Sequence, residues 1–145
     1  MLYGENGCGK TRTARLMARW ANLIALEIPF ASNSESVGAR LSNSAIVHWP
    51  SVVNGFHNGE FGATDDILNA SLAVIDDIGA EHDPSGYGRE QLYLVLSRRE
   101  FRWNIITTNL PPGAWHDRLE RRIASRLFRN ADHIDLSSVP DYSTA

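Results

Sequence analysis

Gly4-Glu5-Asn6-Gly7-Cys8-Gly9-Lys10-Thr11 fits the pattern G-x-x-x-x-G-K-[ST] at every fixed position. The pattern describes a loop that wraps a polyphosphate. Its glycines let backbone N–H groups approach phosphate oxygens with no side chain in the way. Lys10 is placed to reach the outer phosphates as a cation, and the Thr11 hydroxyl is placed to ligate Mg2+. A helix starting near Gly9 would add the positive end of its dipole. The whole stretch, Glu5, Asn6 and Cys8 included, is therefore the candidate nucleotide-binding loop, with Cys8 at a variable position and without a role of its own. The competing reading is a glycine-rich turn that caps a helix and binds nothing, so the surrounding chain has to decide.

Upstream, only Met1-Leu2-Tyr3 precede Gly4, whereas a strand averages about 5–6 residues. The expectation is a shortened central strand or a truncated version of something longer. Downstream, residues 10–26 read as a helix: Ala14, Met17, Ala18 and Ala21 make one apolar stripe, and Leu16, Trp20 and Leu23 make a second, so two covered faces are expected. Residues 28–30 are expected to open a short strand and 32–43 to form a polar loop. A strand over 45–49 stops at Pro50, followed by a short helix over 51–56, a turn at 57–59 and a helical turn over 65–70. Leu72-Ala73-Val74-Ile75 is an unbroken apolar run ending in Asp76-Asp77, the pattern of a strand buried on both faces of a parallel sheet. A Gly- and Pro-containing loop over 78–88 leads to a helix over 89–99 with Leu92, Val95 and Leu96 inward. A strand over 103–107 ends at Thr108-Asn109, and Pro111-Pro112-Gly113 breaks the chain. One helix over 114–128 is expected, with Trp115, Leu119, Ile123 and Leu127 spaced four apart, then a short strand over 133–136 and a polar tail over 137–145. Alternating strands and helices predict an α/β fold with a parallel sheet. Ligands in such sheets bind at the carboxyl ends of the strands, where three chemically suggestive stretches, residues 4–11, 76–81 and 107–109, would converge.

The rest of the chain narrows the function classes. Net charge is −3, from 14 Lys+Arg against 17 Asp+Glu, so no overall basicity proposes nucleic acid, and any such contact must come from a local patch. With 43% hydrophobic and 21% charged residues the balance is that of a globular protein. One cysteine, Cys8, excludes an internal disulfide framework and suits a reducing cytosol, so a cytoplasmic location is expected. No apolar run approaches the ~20 residues of a membrane span. The five histidines show no metal-ligand spacing, and the tryptophans read as core, Trp49 included, although that ring could also stack on a base.

An acid-tipped apolar strand is the second half of a nucleotide triphosphatase site. Asp76 would hold Mg2+ beside the Thr11 hydroxyl, and Asp77 or Glu81 would polarise the attacking water. Asn109, at the end of the next strand, would bond the γ-phosphate or that water; by itself it reads as a turn residue. Arg118, Arg122 and Arg126 follow one another at i, i+4, i+8 and form a basic stripe. That stripe is either a solvated face or the source of an arginine that enters a neighbouring subunit's site. Arg98, Arg99 and Arg102 form a second basic group, read as a solvated helix end or a contact for DNA phosphates.

Taken together, residues 2–11, 73–81, 88–93, 106–110 and 122–127 resemble AAA+ ATPases of the helicase-loader type, the DnaC/DnaI/IstB-like group, over residues 2–136. The resemblance implies a P-loop three-layer sandwich with a mainly parallel five-stranded sheet, ATP and Mg2+ as ligands, and side-by-side assembly in a homo-oligomeric ring or spiral. Asp76 and Asp77 match the Walker B acids, though many relatives outside this group carry Glu at the second. Asn109 matches the sensor 1 residue. Arg126 best matches the arginine finger supplied in trans, with Arg122 one turn earlier. Relatives bind single-stranded DNA and load a replicative helicase in DNA replication or assist a transposase. Two features of the group are expected to lack a counterpart here: an N-terminal segment that engages the partner, and a C-terminal helical lid, missing or reduced to the stretch after Leu136. A nucleotide-dependent adaptor without efficient hydrolysis is the rival expectation.

Overall fold

A computed structural model of the 145-residue chain describes residues 1–27, 43–129 and 131–141. Five parallel strands form one sheet: β1 (Leu2–Tyr3), β2 (Ser44–His48), β3 (Leu72–Ile78), β4 (Trp103–Thr108) and β5 (Ile134–Asp135), in the order β2-β3-β4-β1-β5. Six α-helices are described: α1 (Lys10–Glu27), α2 (Trp49–His57), α3 (Gly62–Asn69), α4 (Tyr87–Arg98), α5 (Trp115–Arg118) and α6 (Arg121–Phe128). No helix among the described residues is long and apolar enough to cross a membrane.

β3 explains the architecture. Its side chains alternate across the sheet, and both faces are covered. Leu72 and Val74 pack with Leu2, Ala14 and Ala18 beneath α1. Ala73 and Ile75 face the opposite layer with Trp49, Val53, Leu92, Trp115 and Ile123. The unbroken apolar run is thus two half-cores read through one strand. β4 lies between β3 and β1, so the ends of all three are neighbours. Leu2 pairs with Thr107 on one side and Ile134 on the other, which seats the two-residue β1 inside the sheet.

Several expectations need correction. The helix expected over 114–128 is a 3-10 turn (Pro112–Ala114), α5 and α6, broken at Glu120, whose φ is +67°. Trp115, Leu119, Ile123 and Leu127 are nonetheless all buried. Their four-residue spacing continues across the break because α5 and α6 each turn the same way onto the sheet. Arg118 therefore belongs to α5 and does not share a helical stripe with Arg122 and Arg126. On α1, the second stripe is not covered: Leu16, Trp20 and Leu23 are exposed. Ala14 and Ala18 make the contact, because only small residues let α1 approach the sheet closely. Trp49 and Trp115 are core, but Trp20 and Trp103 are exposed. Trp49 opens α2 instead of ending β2, with Pro50 in the helix's first turn, where a missing N–H costs nothing.

Arg99 is the largest departure. Read as part of a solvated helix end, it is fully buried. Its Nη1 donates to the Ile67 and Ala70 carbonyls at 2.6 and 2.7 Å, Nη2 to Trp103 O at 2.8 Å, and Nε to Asn104 Oδ1 at 2.6 Å. It caps the carbonyl end of α3, as a cation does at the negative end of a helix dipole. Arg102 helps by donating to Leu68 O. Burial, with Arg102 adding to it, pushes the Arg99 guanidinium down to about 10, so it stays protonated at neutral pH. The strand expected at residues 28–30 and the loop over 32–42 lie outside the described residues.

Candidate nucleotide-binding site

The loop between β1 and α1 has the backbone its glycines permit. Gly7 and Gly9 have φ of +77° and +89°, a region open to glycine at little cost. α1 begins at Lys10, and Thr13 N donates to Gly9 O at 2.8 Å, so the helix N-terminus faces into the loop. Lys10 is 7% exposed. Its Nζ donates to Gly4 O at 2.9 Å and Glu5 O at 2.6 Å and lies 3.7 Å from Cys8 Sγ. The ammonium spans the loop from within, held by groups that an anion could replace.

The acids at the end of β3 sit beside it. Asp76 is buried, and its Oδ1 accepts the Thr11 hydroxyl at 2.9 Å and the Thr107 hydroxyl at 2.6 Å. The next residue does not follow the ordinary alternation. Ile75 pairs with Ile106, yet Ile78 pairs with Thr108, so Asp76 and Asp77 together face Thr107. This is a β-bulge, which bends a strand and re-aims a side chain. Asp77 takes a φ of +65°, a left-handed conformation that Asp tolerates better than most residues. Its amide donates to Thr107 Oγ1 at 2.8 Å. In a flat strand the two carboxylates would point to opposite faces; here both serve the same sheet edge.

Asn109 Nδ2 donates to Asp77 Oδ1 at 3.0 Å. On the other side, His48 Nε2 lies 3.7 Å from Asp77 Oδ2, and His48 Nδ1 is 2.8 Å from Ser51 Oγ. Asp77 is thus held between the ends of β2 and β4. Asn6, Gly7, Lys10, Thr11, Asp77 and Asn109 line one cavity of about 640 Å3, together with Arg12, Arg15 and Arg19 of α1 and Asp141. Glu81 does not line it. Its Oε2 accepts the Gly79 amide at 2.7 Å, and burial pushes its carboxyl up, assisted by Asp83 and Asp77, against the opposing effect of backbone N–H bonds. Of the two acids weighed as the water-polarising group, Asp77 is the one on the cavity wall.

Arg126 lies elsewhere. Its Nη1 donates to Glu100 Oε2 at 2.8 Å, and its guanidinium carbon is 5.2 Å from the Tyr93 ring centre. Arg129 joins the same carboxylate at 3.1 Å. With Leu72, Trp103 and Ile134, which open their strands, Arg126 lines a second cavity of about 470 Å3 at the amino ends of the sheet. It does not meet its own chain's loop.

Sequence reasoning placed Thr107 in a suggestive stretch without giving it a role, and missed His48, Asp141 and the arginines of α1. The spacing of Arg12, Arg15 and Arg19 at i, i+3, i+7 was a legible signal for one helix face. Nothing local marks the others, since each enters through strand register or chain return. Thr11 and the Asp76 carboxylate form a hard-oxygen pair suited to Mg2+, which takes one or two carboxylates and fills its remaining positions with water and phosphate oxygens. Among the described residues no group of three or more His, Cys, Asp or Glu side chains gathers into a metal site of its own. No protein-family model matches the chain, and no curated protein matches it.

Proposed function

We propose that the chain binds ATP with Mg2+ at the loop formed by residues 4–11 and hydrolyses it, as an ATPase of the helicase-loader type. The observation that carries this reading is the 2.9 Å bond from the Thr11 hydroxyl to the buried Asp76 carboxylate. It ties the phosphate loop to the acid strand at one point. Loop amides and the α1 N-terminus would hold the phosphates, and Lys10 would exchange its two carbonyl partners for phosphate oxygens. Mg2+ held at Thr11 and Asp76 would supply charge neutralisation on the triphosphate. Asp77 would accept a hydrogen bond from the attacking water, with Asn109 fixing the carboxylate's orientation and His48 bordering its other oxygen. Ring or spiral assembly, single-stranded DNA and a replicative helicase or transposase as partners belong to the same proposal.

A second reading, a nucleotide-dependent adaptor with little hydrolysis, has support from Arg126. Its ion pair with Glu100 occupies the group that would serve a neighbouring subunit. Insertion in trans would require that pair to open.

Titration calorimetry with Mg-ATP tests both. Lys10→Ala should weaken binding by at least about 100-fold, the loss of a buried charge-assisted contact. Heat that is unchanged in that variant would overturn the site. Native chain that binds Mg-ATP without turnover, with or without single-stranded DNA, would select the adaptor.

A further inference from the structure

Residues 136–141 run back along the phosphate loop. Leu136 N donates to Tyr3 O at 2.8 Å, continuing the β1–β5 pairing, and Val139 N closes a turn onto Leu136 O at 3.0 Å. The contact with the loop is direct. A side chain at Gly4 would lie 2.9 Å from the Leu136 carbonyl carbon and 3.0 Å from Ser137 N. A side chain at Gly7 would collide with the Asp141 carboxylate, both oxygens included. Asp141 also lines the same cavity as Lys10, Thr11 and Arg15. A carboxylate thus lies against Gly7 of the glycine-rich loop, on the wall of the candidate site.

We propose that Asp141 is a built-in competitor for the phosphate site: its carboxylate holds the cradle until a nucleotide displaces it. The inference rests on the nucleotide-binding reading above. Its physical basis is that a loop of N–H groups at a helix N-terminus attracts a carboxylate as it attracts phosphate. Two anions cannot share one cradle, so the nucleotide meets a receptive loop only in the fraction of molecules whose Asp141 is displaced. The apparent affinity falls by that fraction. The segment is well placed for such a role, because the half-buried Leu136 packs against the core beneath α1 while Asp141 reaches the loop five residues later.

Asp141→Asn keeps the shape and removes the charge. Calorimetry of native and Asp141→Asn chains with Mg-ATP, and separately with inorganic pyrophosphate, should show both ligands binding the variant about tenfold more tightly. In the ligand-free chains, the Gly7 amide resonance should move on substitution, a readout that needs no nucleotide. Equal affinities and an unmoved Gly7 resonance would overturn the competitor and leave the nucleotide site standing. Absence of heat in both chains at millimolar ligand would overturn the site and the competitor together. Tighter binding in Asp141→Asn that Lys10→Ala abolishes would establish both.

Discussion

Asp76 and Arg99 are an acid and a base buried at opposite ends of the sheet, one at the carboxyl end of β3 and one below its amino end. They are held differently. Arg99 has carbonyl or amide oxygens around the whole guanidinium fork, supplied by Ile67, Ala70, Trp103 and Asn104. Asp76 receives two hydroxyls, from Thr11 and Thr107, both on Oδ1. Carbonyls of the main chain cannot leave; hydroxyls can rotate. The difference separates a charge that fixes the fold from a charge that can change partners.

Substituting each residue should therefore give opposite signatures. Arg99→Met would leave several buried carbonyls unpaired, and thermal unfolding should show a loss of about 3–5 kcal/mol, or a midpoint lower by about 10–16 °C. Nucleotide binding by the folded fraction should be unchanged. Asp76→Asn retains an oxygen for both hydroxyls, so its midpoint should move by only a few degrees. Its apparent Mg2+ affinity in an ATPase titration should fall about 10–100-fold. A stability loss at Asp76 equal to that at Arg99 would erase the distinction.

The same contrast separates what could be read in the sequence from what could not. The glycine-rich loop between β1 and α1 and the buried strand β3 were legible because their information is local: fixed spacing in one, an unbroken apolar run in the other. Arg99 was not, since Arg98, Arg99 and Arg102 look alike until α3 arrives with its exposed carbonyls. The pairing of Asp76 and Asp77 at the tip of β3 was legible, but not how both reach one edge; the bulge that turns Asp77 inward depends on β4 register. The break at Glu120 escaped because Leu119, Ile123 and Leu127 keep their spacing through it. Asp141 lies 134 positions after Gly7 and carries no motif.

Backbone strain sharpens the comparison at a smaller scale. Asp77 and Glu120 are the non-glycine residues with positive φ among those described. Asp77 sits on the cavity wall, whereas Glu120 joins two helices and pairs with Arg89 and Arg122 near the surface. A non-glycine residue held at positive φ costs on the order of 1–3 kcal/mol, and exposed ion pairs return little of it. Glu120→Gly should therefore stabilise the chain by about 0.5–1 kcal/mol in urea unfolding, with hydrolysis unaffected. Asp77→Gly should also relieve strain but abolish turnover. A Glu120→Gly variant that also loses activity would give that corner a functional role.

The smallest effects lie in the loop after β3, where two acids two residues apart are shifted in opposite directions. Burial pushes the Glu81 carboxyl above its ordinary value of 4.5. Asp83 also feels burial, but the Arg89 amide, Ser85 hydroxyl and Arg89 guanidinium outweigh it and hold the carboxyl below 3.8. For Glu81 the unfolded chain ionises first as pH rises, so stability is lost between pH 4.5 and the raised folded value. For Asp83 the unfolded chain takes up its proton first as pH falls, so stability is present above pH 3.8 and lost through the lowered folded value. Glu81→Gln keeps an oxygen for the Gly79 amide and escapes the penalty; it should be more stable than the native chain at neutral pH. Asp83→Asn loses its charge-assisted bonds at the start of α4 and should be less stable there. Urea unfolding across about pH 3–7 should show the two difference curves converging on the native chain from opposite sides as the pH falls. Curves of the same sign would mean that the loop responds to net charge instead of to the separate surroundings of its two carboxyls.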